Sequence, residues 1–531
     1  MAATIEGGTR SLWVATATPP AFAPLREDTH AEVCVVGAGI AGLTTAYRLA
    51  LEGRDVVVLE ERDLCGGQTA RTTGHLCNAL DDRFFQLEDM FGEDGARLAA
   101  QSHSAAIDTI QDTCRSEEID CDFERVDGYL VRGFGDTREG VLEREFSAAR
   151  NAGLDVELVD AGPDAFAHLG PALRFREQAR LHALRYLGGL ARAVQRHGGR
   201  IHCGTRVEDV DGGRGAGVGT EAGPAVRADA IVVATHVPFN DRFVVHTKQA
   251  AYRTYVLALR IAHDAVPDAL LWDTLDPYHY VRIAHEGDTS WLLVGGEDRK
   301  SGQDDLPRAH FRELEAWTRD HFPMAGPVGY CWSGHIIEPV DSLAFIGHNP
   351  GLADNVFIAT GDSGNGLTHG TIAGLLLADL IGGRDSPWRR LYAPDRKPTR
   401  ALGEYLHENA NLVPYYGELL GAGEHEDIEA LVPGEAAVVR HHLGKVAAWR
   451  DLGGMLHLHS ARCPHLGCVV HWNPVEHSWD CPCHGSRFDA HDGSVLNGPA
   501  DRGLTPLRAG LQPLAGESHP PPGESHPLPP L

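Results

Sequence analysis

The run Ala31-Glu32-Val33-Cys34-Val35-Val36 leads directly into Gly37-Ala38-Gly39-Ile40-Ala41-Gly42, and a helix-periodic stretch follows from Leu43 to Ala50. A second apolar run at 55–59 ends at Glu60. Strand, G-x-G-x-x-G, helix, strand and closing acid, in that order, predict a Rossmann-like α/β unit that binds a dinucleotide. Gly37 permits the tight turn, Gly39 lets a diphosphate approach the backbone, and Gly42 lets helix and strand pack closely. The first helical turn, with Ala41, offers free N–H groups to the diphosphate. Glu60 is suited to the adenosine ribose hydroxyls and disfavours a 2'-phosphate. FAD and NAD share this fingerprint, so the rest of the chain decides between them.

The other end carries Cys463-Pro464-His465-Leu466-Gly467-Cys468 and Cys481-Pro482-Cys483-His484-Gly485-Ser486. Two thiolates and two imidazoles on two short loops can hold a [2Fe-2S] cluster, with Cys463 and Cys481 on one iron and His465 and His484 on the other. Imidazole gives the iron less negative charge than thiolate, which raises the reduction potential. Zinc uses the same ligand types, but zinc ribbons space them C-x-x-C and lack the Gly-Cys and Gly-Ser context.

This segment resembles Rieske proteins of the cytochrome bc and b6f type. The resemblance implies a disulfide between Cys468 and Cys483, a hydrogen bond from Ser486 to a bridging sulfide, and a covering loop at Asn497-Gly498-Pro499-Ala500. Phe488 stands where that family has a tyrosine, and one hydrogen bond fewer to a ligand sulfur lowers the potential.

Three further segments bear on the dinucleotide. They are the strand and turn Ile231-Val232-Val233-Ala234-Thr235-His236-Val237-Pro238, the strand at 355–360 entering the Gly361–Gly370 turn, and Gly66-Gly67-Gln68-Thr69-Ala70-Arg71-Thr72-Thr73-Gly74-His75. Together they resemble the glycine and D-amino-acid oxidase (DAO) superfamily of FAD-dependent oxidoreductases, over about residues 30–385, and the combination is close to bacterial members with a C-terminal Rieske domain. The resemblance implies FAD, with Arg62, Gly67, Thr73, Gly74, Val207, Thr235, Gly361, Gly366, Leu367 and Thr368 as further cofactor-binding residues. Relatives that attach flavin covalently use a histidine near Arg71, so noncovalent FAD is expected.

The expected organisation is an N-terminal extension at 1–30, then an oxidoreductase unit at 31–385. Its FAD-binding parts are 31–80, 180–240 and 330–385, and its mixed-sheet substrate parts are 81–180 and 241–330. A linker with one helix follows at 386–426, then a small antiparallel β Rieske unit at 427–511 whose strands begin at Ala430, then a disordered Pro-rich tail at 512–531. The chain has 531 residues and a net charge of −27, which repels phosphate backbones and argues against nucleic-acid binding. There is no run of 18 apolar residues and no secretory leader pattern, so a cytoplasmic protein without a membrane span is expected.

Joining a two-electron flavin to a one-electron cluster suits a two-to-one electron converter. The DAO resemblance implies hydride removal from a carbon beside an amine nitrogen, and an electron-acceptor protein or quinone beyond the cluster. The alternative is an electron-transfer or redox-sensing module, with the cluster feeding the flavin and no amine substrate. Candidate substrate-side residues are Tyr280, Arg282 and His369, with His75 beside them. Arg282 is the candidate for bidentate pairing with a substrate carboxylate.

Overall fold

A computed structural model describes residues 9–64, 66–240, 245–304, 306–421, 428–441 and 444–507; the expected tail at 512–531 lies outside them. The first sheet has eight strands. Its spine runs Phe345–His348, Val356–Thr360, Ala225–Val233, Thr29–Val36, Val56–Leu59, Arg200–His202. Thr29–Val36 pairs in parallel with a strand on each side. A strand flanked this way is buried on both faces, which is why it reads as an unbroken apolar run. Helices Ile40–Leu51 and Gly366–Ile381 pack on each other and on this sheet.

The second sheet has nine strands and is mixed, because Leu270–Asp273 pairs in parallel with Glu124–Val131 while its other pairings are antiparallel. It reaches past the limits expected for the substrate parts. His75–Leu76 belongs to it, and Val328–Pro339 stays paired with Gln249–Ile261 as far as Gln249↔Pro339.

The described part of the N-terminal extension packs on the rest of the chain. Ser11 caps the short helix Leu12–Thr16 and its hydroxyl donates to the Ala70 carbonyl at 2.6 Å. Trp13 is buried beneath the Arg282 guanidinium, 5.5 Å from the ring centroid. Among its described residues the expected linker holds two α-helices instead of one, Leu402–Asn411 and Val413–Gly417. Its first part packs into the main core through Leu391 and Tyr392.

The C-terminal unit has an antiparallel three-stranded sheet, Ala436–His441, Gly444–Arg450 and Leu456–Ser460, and a four-stranded one from His471–Asn473 to Val495–Asn497. Its first strand starts at Ala436, later than expected, because Pro433-Gly434 forms a turn with Gly434 at φ +89°. Among the described residues, no helix is long and apolar enough to cross a membrane.

Candidate flavin pocket and cluster site

One long pocket runs across the C-terminal ends of the first sheet and under the second. At its dinucleotide end Gly37 has φ +104°, and a side chain there would strike the Ala234 carbonyl. No side chain caps the helix at Gly39, and Ile40 N–H donates to Thr69 Oγ1 at 3.2 Å. The rest of the first turn is thus left for an anion. Glu60 accepts from Ala38 N–H at 2.8 Å and from Arg62 N–H at 3.1 Å, while burial holds its carboxyl above the usual range.

Gly39, Ala41, Gly67, Thr73, Val207, Thr235, Gly361, Gly366 and Leu367 all line this pocket. Gly42, Gly74 and Thr368 do not. Gly42 abuts the Gly37 carbonyl and serves helix–strand packing. Gly74 turns its carbonyl to Arg282 at 2.7 Å. The Thr368 hydroxyl meets His103 Nδ1 at 3.0 Å and donates to Asn365 O at 3.1 Å. Arg62 lines the pocket, but its guanidinium donates to Gly66 O, Val495 O and Leu496 O.

Beside the 361–366 turn, the wall is formed by Asp81, Trp272, Tyr278, Tyr280 and His75. Tyr280 shares a hydrogen bond with Thr254 at 2.8 Å and meets the His75 ring edge-on. His75 Nδ1 pairs with Thr73 Oγ1 at 2.8 Å, and its buried Nε2 faces the Val281 backbone without a well-formed hydrogen bond. Burial, then the Arg282 charge, drives the His75 pKa down to about 3, so the ring is neutral. A neutral imidazole with one unmet nitrogen in a pocket wall fits a bound polar group. Tyr278 donates to Asp81 Oδ2 at 2.9 Å, and burial raises Asp81 to about 6.

Arg282 corrects the sequence expectation. It is 1% exposed and donates to Gly74 O, to Leu181 O at 3.1 Å and to Ile283 O at 2.9 Å. It does not line the pocket, and its Nε and Nη1 are committed to main-chain carbonyls, so it is no clamp for a carboxylate. His369 does line the pocket, but Nδ1 is held by Asp362 O at 2.9 Å and Nε2 by His103 at 3.3 Å.

In the C-terminal unit two loops of like shape face each other. Gly467 N–H closes onto Cys463 O at 3.0 Å and Gly485 N–H onto Cys481 O at 3.0 Å, with both glycines at positive φ. The disulfide Cys468–Cys483 ties the loops with Cα atoms 6.5 Å apart. Cys463 and Cys481 are buried with their thiols in contact, and the rings of His465 and His484 lie 4.9 Å apart. His484 Nδ1 is buried without a hydrogen-bond partner. Two thiols beside two imidazoles, one with an unmet nitrogen, are a donor set that fits a two-iron cluster.

His335 touches both sites. His335, in strand Val328–Pro339, lines the pocket, and its Nδ1 pairs with His236 Nε2 at 3.1 Å. On its other side a Cβ placed on Gly485 would lie 2.8 Å from His335 Nε2, so the loop backbone next to His484 rests on this ring. His335 and Arg206 also line the pocket although neither stands in a sequence motif, and Thr69 joins them from the Gly66–His75 segment.

The model of the FAD dependent oxidoreductase (DAO) family matches residues 32–380, and that of the Rieske [2Fe-2S] domain matches 422–508. Protein YhfW of Bacillus subtilis (strain 168), named for a Rieske 2Fe-2S centre, is 31% identical over 93% of this chain and 96% of its own length. Gamma-glutamylputrescine oxidoreductase of Escherichia coli (strain K12) is 27% identical over 71% of this chain and 89% of its own. Glycine oxidase of Geobacillus kaustophilus has the same fold over 69% of this chain and 99% of its own, with a TM-score of 0.58 at 18% identity.

Proposed function

From a chain that belongs to the FAD-dependent oxidoreductase family and carries a Rieske [2Fe-2S] domain, we infer an amine or amino-acid dehydrogenase that hands its electrons on through the cluster. FAD when bound takes up two electrons as a hydride, and the cluster moves one at a time. Cys463 and Cys481 would hold one iron and His465 and His484 the other. An electron-acceptor protein or a quinone would take the electrons onward.

The observation that supports transfer between the two centres is the His335 ring, shared between the pocket wall and the loop beside His484. The amine comes from the relatives, among them an oxidoreductase of gamma-glutamylputrescine and an oxidase of glycine. The wall beside the 361–366 turn is consistent with it. Trp272, Tyr278 and Tyr280 offer aromatic faces that attract an ammonium group. Asp81, with a pKa raised to about 6, would take the ammonium proton before oxidation. With Arg282 committed elsewhere, recognition leans on the nitrogen end of the substrate.

The test is anaerobic mixing of the holoprotein with a panel of primary amines, secondary amines and amino acids. Bleaching of flavin absorbance followed by growth of the Rieske EPR signal is expected. Reduction by no member of the panel, while an external reductase reduces both centres, would remove the amine and reverse the direction.

A further inference from the structure

We propose that the Rieske domain is part of the FAD-binding site: its 495–501 loop is a lid over the dinucleotide end of the pocket. Val495, Leu496, Asn497, Gly498 and Ala500 line the same cavity as Glu60. The lid is clamped from the flavin unit by two arginines. Arg62 Nη2 donates to Val495 O at 2.9 Å and Leu496 O at 2.7 Å, and Arg206 Nη2 donates to Asp501 O at 2.8 Å. Charge-assisted bonds to main-chain carbonyls fix the loop's position whatever its side chains are. Close packing completes the seal, because a Cβ on Gly498 would lie 3.4 Å from the Val237 carbonyl.

The same loop is fastened to the cluster-binding loops. Ser486 Oγ accepts from Ala500 N–H at 3.0 Å, and Arg487 Nη1 donates to Asn497 Oδ1 at 3.1 Å. One short segment thus spans from the residues beside His484 to the residues beside Glu60. A dinucleotide entering or leaving past Glu60 must displace it. FAD retention and the seating of the cluster domain are therefore linked, and by reciprocity each stabilises the other.

The full-length holoprotein tests this in two ways. In Gly498→Val the added methyls meet Val237, the loop lifts, and FAD release, followed by recovery of free-flavin fluorescence, becomes at least tenfold faster. Cluster content is read from iron and EPR in the same samples. In the wild-type chain, removing FAD while keeping the cluster raises deuterium uptake in peptides covering 495–501 more than in those covering 436–460. Unchanged FAD release in a Gly498→Val protein with full cluster content would overturn the proposal. So would deuterium uptake at 495–501 that is indifferent to FAD, a measurement that needs no variant to fold.

Discussion

Glu476→Gln tests whether the two units are locked by buried charge. Glu476 comes from the cluster unit, and it accepts from Ser333 of the flavin unit at 2.6 Å. Arg71 lies 3.4 Å away, Arg253 3.6 Å and Arg487 3.9 Å. Asp480 stands next to it, 3.1 Å from Arg487 and 3.4 Å from Arg253. Three cations thus face two anions, and all but Arg71 are nearly fully buried. Glutamine keeps the shape and the Ser333 bond but leaves three cations to one anion. Breaking a buried ion pair from one side costs about 3–5 kcal/mol. Arg487 belongs to the same unit as Glu476, but Arg71, Arg253 and Ser333 belong to the other, so the larger part of that loss falls on docking. At about 1.4 kcal/mol per tenfold, the docked-to-undocked ratio drops by about two to four decades.

The same variant predicts a change with pH. Burial works against ionisation of Glu476, but Arg71, Arg253 and Arg487 outweigh it and hold the carboxyl well below the usual range; Asp480 is likewise depressed, by Arg487 and Arg253 against burial. Folded values lie below unfolded ones, so the stabilisation is complete above the unfolded carboxylate range of about 4 and is lost as pH falls through the folded values. The assay is thermal melting of the holoprotein, followed in parallel by visible circular dichroism of the cluster and by flavin fluorescence. Coincident transitions are expected in the wild type. In Glu476→Gln the cluster transition moves down and separates, and its acid limb flattens. A variant that melts like the wild type at pH 7 and keeps the acid limb would refute the reasoning.

His484→Cys replaces an imidazole by a thiolate and should abolish the Rieske EPR spectrum; a retained spectrum would remove His484 from the ligand set. Cys468→Ser unties the two loops, and cluster loss to a chelator should be several times faster than in the wild type, followed by bleaching of visible absorbance. Asp81→Asn removes the carboxyl raised to about 6. The limb of kcat/KM that rises with pH through that value should vanish, with a fall of about 100-fold on the alkaline plateau, the lower range for a lost general base.

What was legible in the sequence and what was not divides along the range of the forces involved. Gly37 and Gly42 could be found because each answers a demand made by its own neighbours, a positive φ in one case and a helix crossing a strand end in the other. The cysteines and histidines of the two loops could be found because the donor chemistry lies within six residues on each side of one disulfide. Arg282 could not. In an alternating strand it looks like a surface or substrate arginine, and what buries it is the convergence of Gly74 and Leu181 carbonyls from distant parts of the chain. Arg253, His335 and Glu476 were hidden in the same way, each an ordinary polar residue in its local sequence. Buried polar groups must be paired, and the partners are supplied by topology. The sequence announces the two cofactors, but the joint between them rests on long-range pairing of single charges. Variants that keep both motifs and disturb only that joint are therefore the ones that should uncouple the two centres.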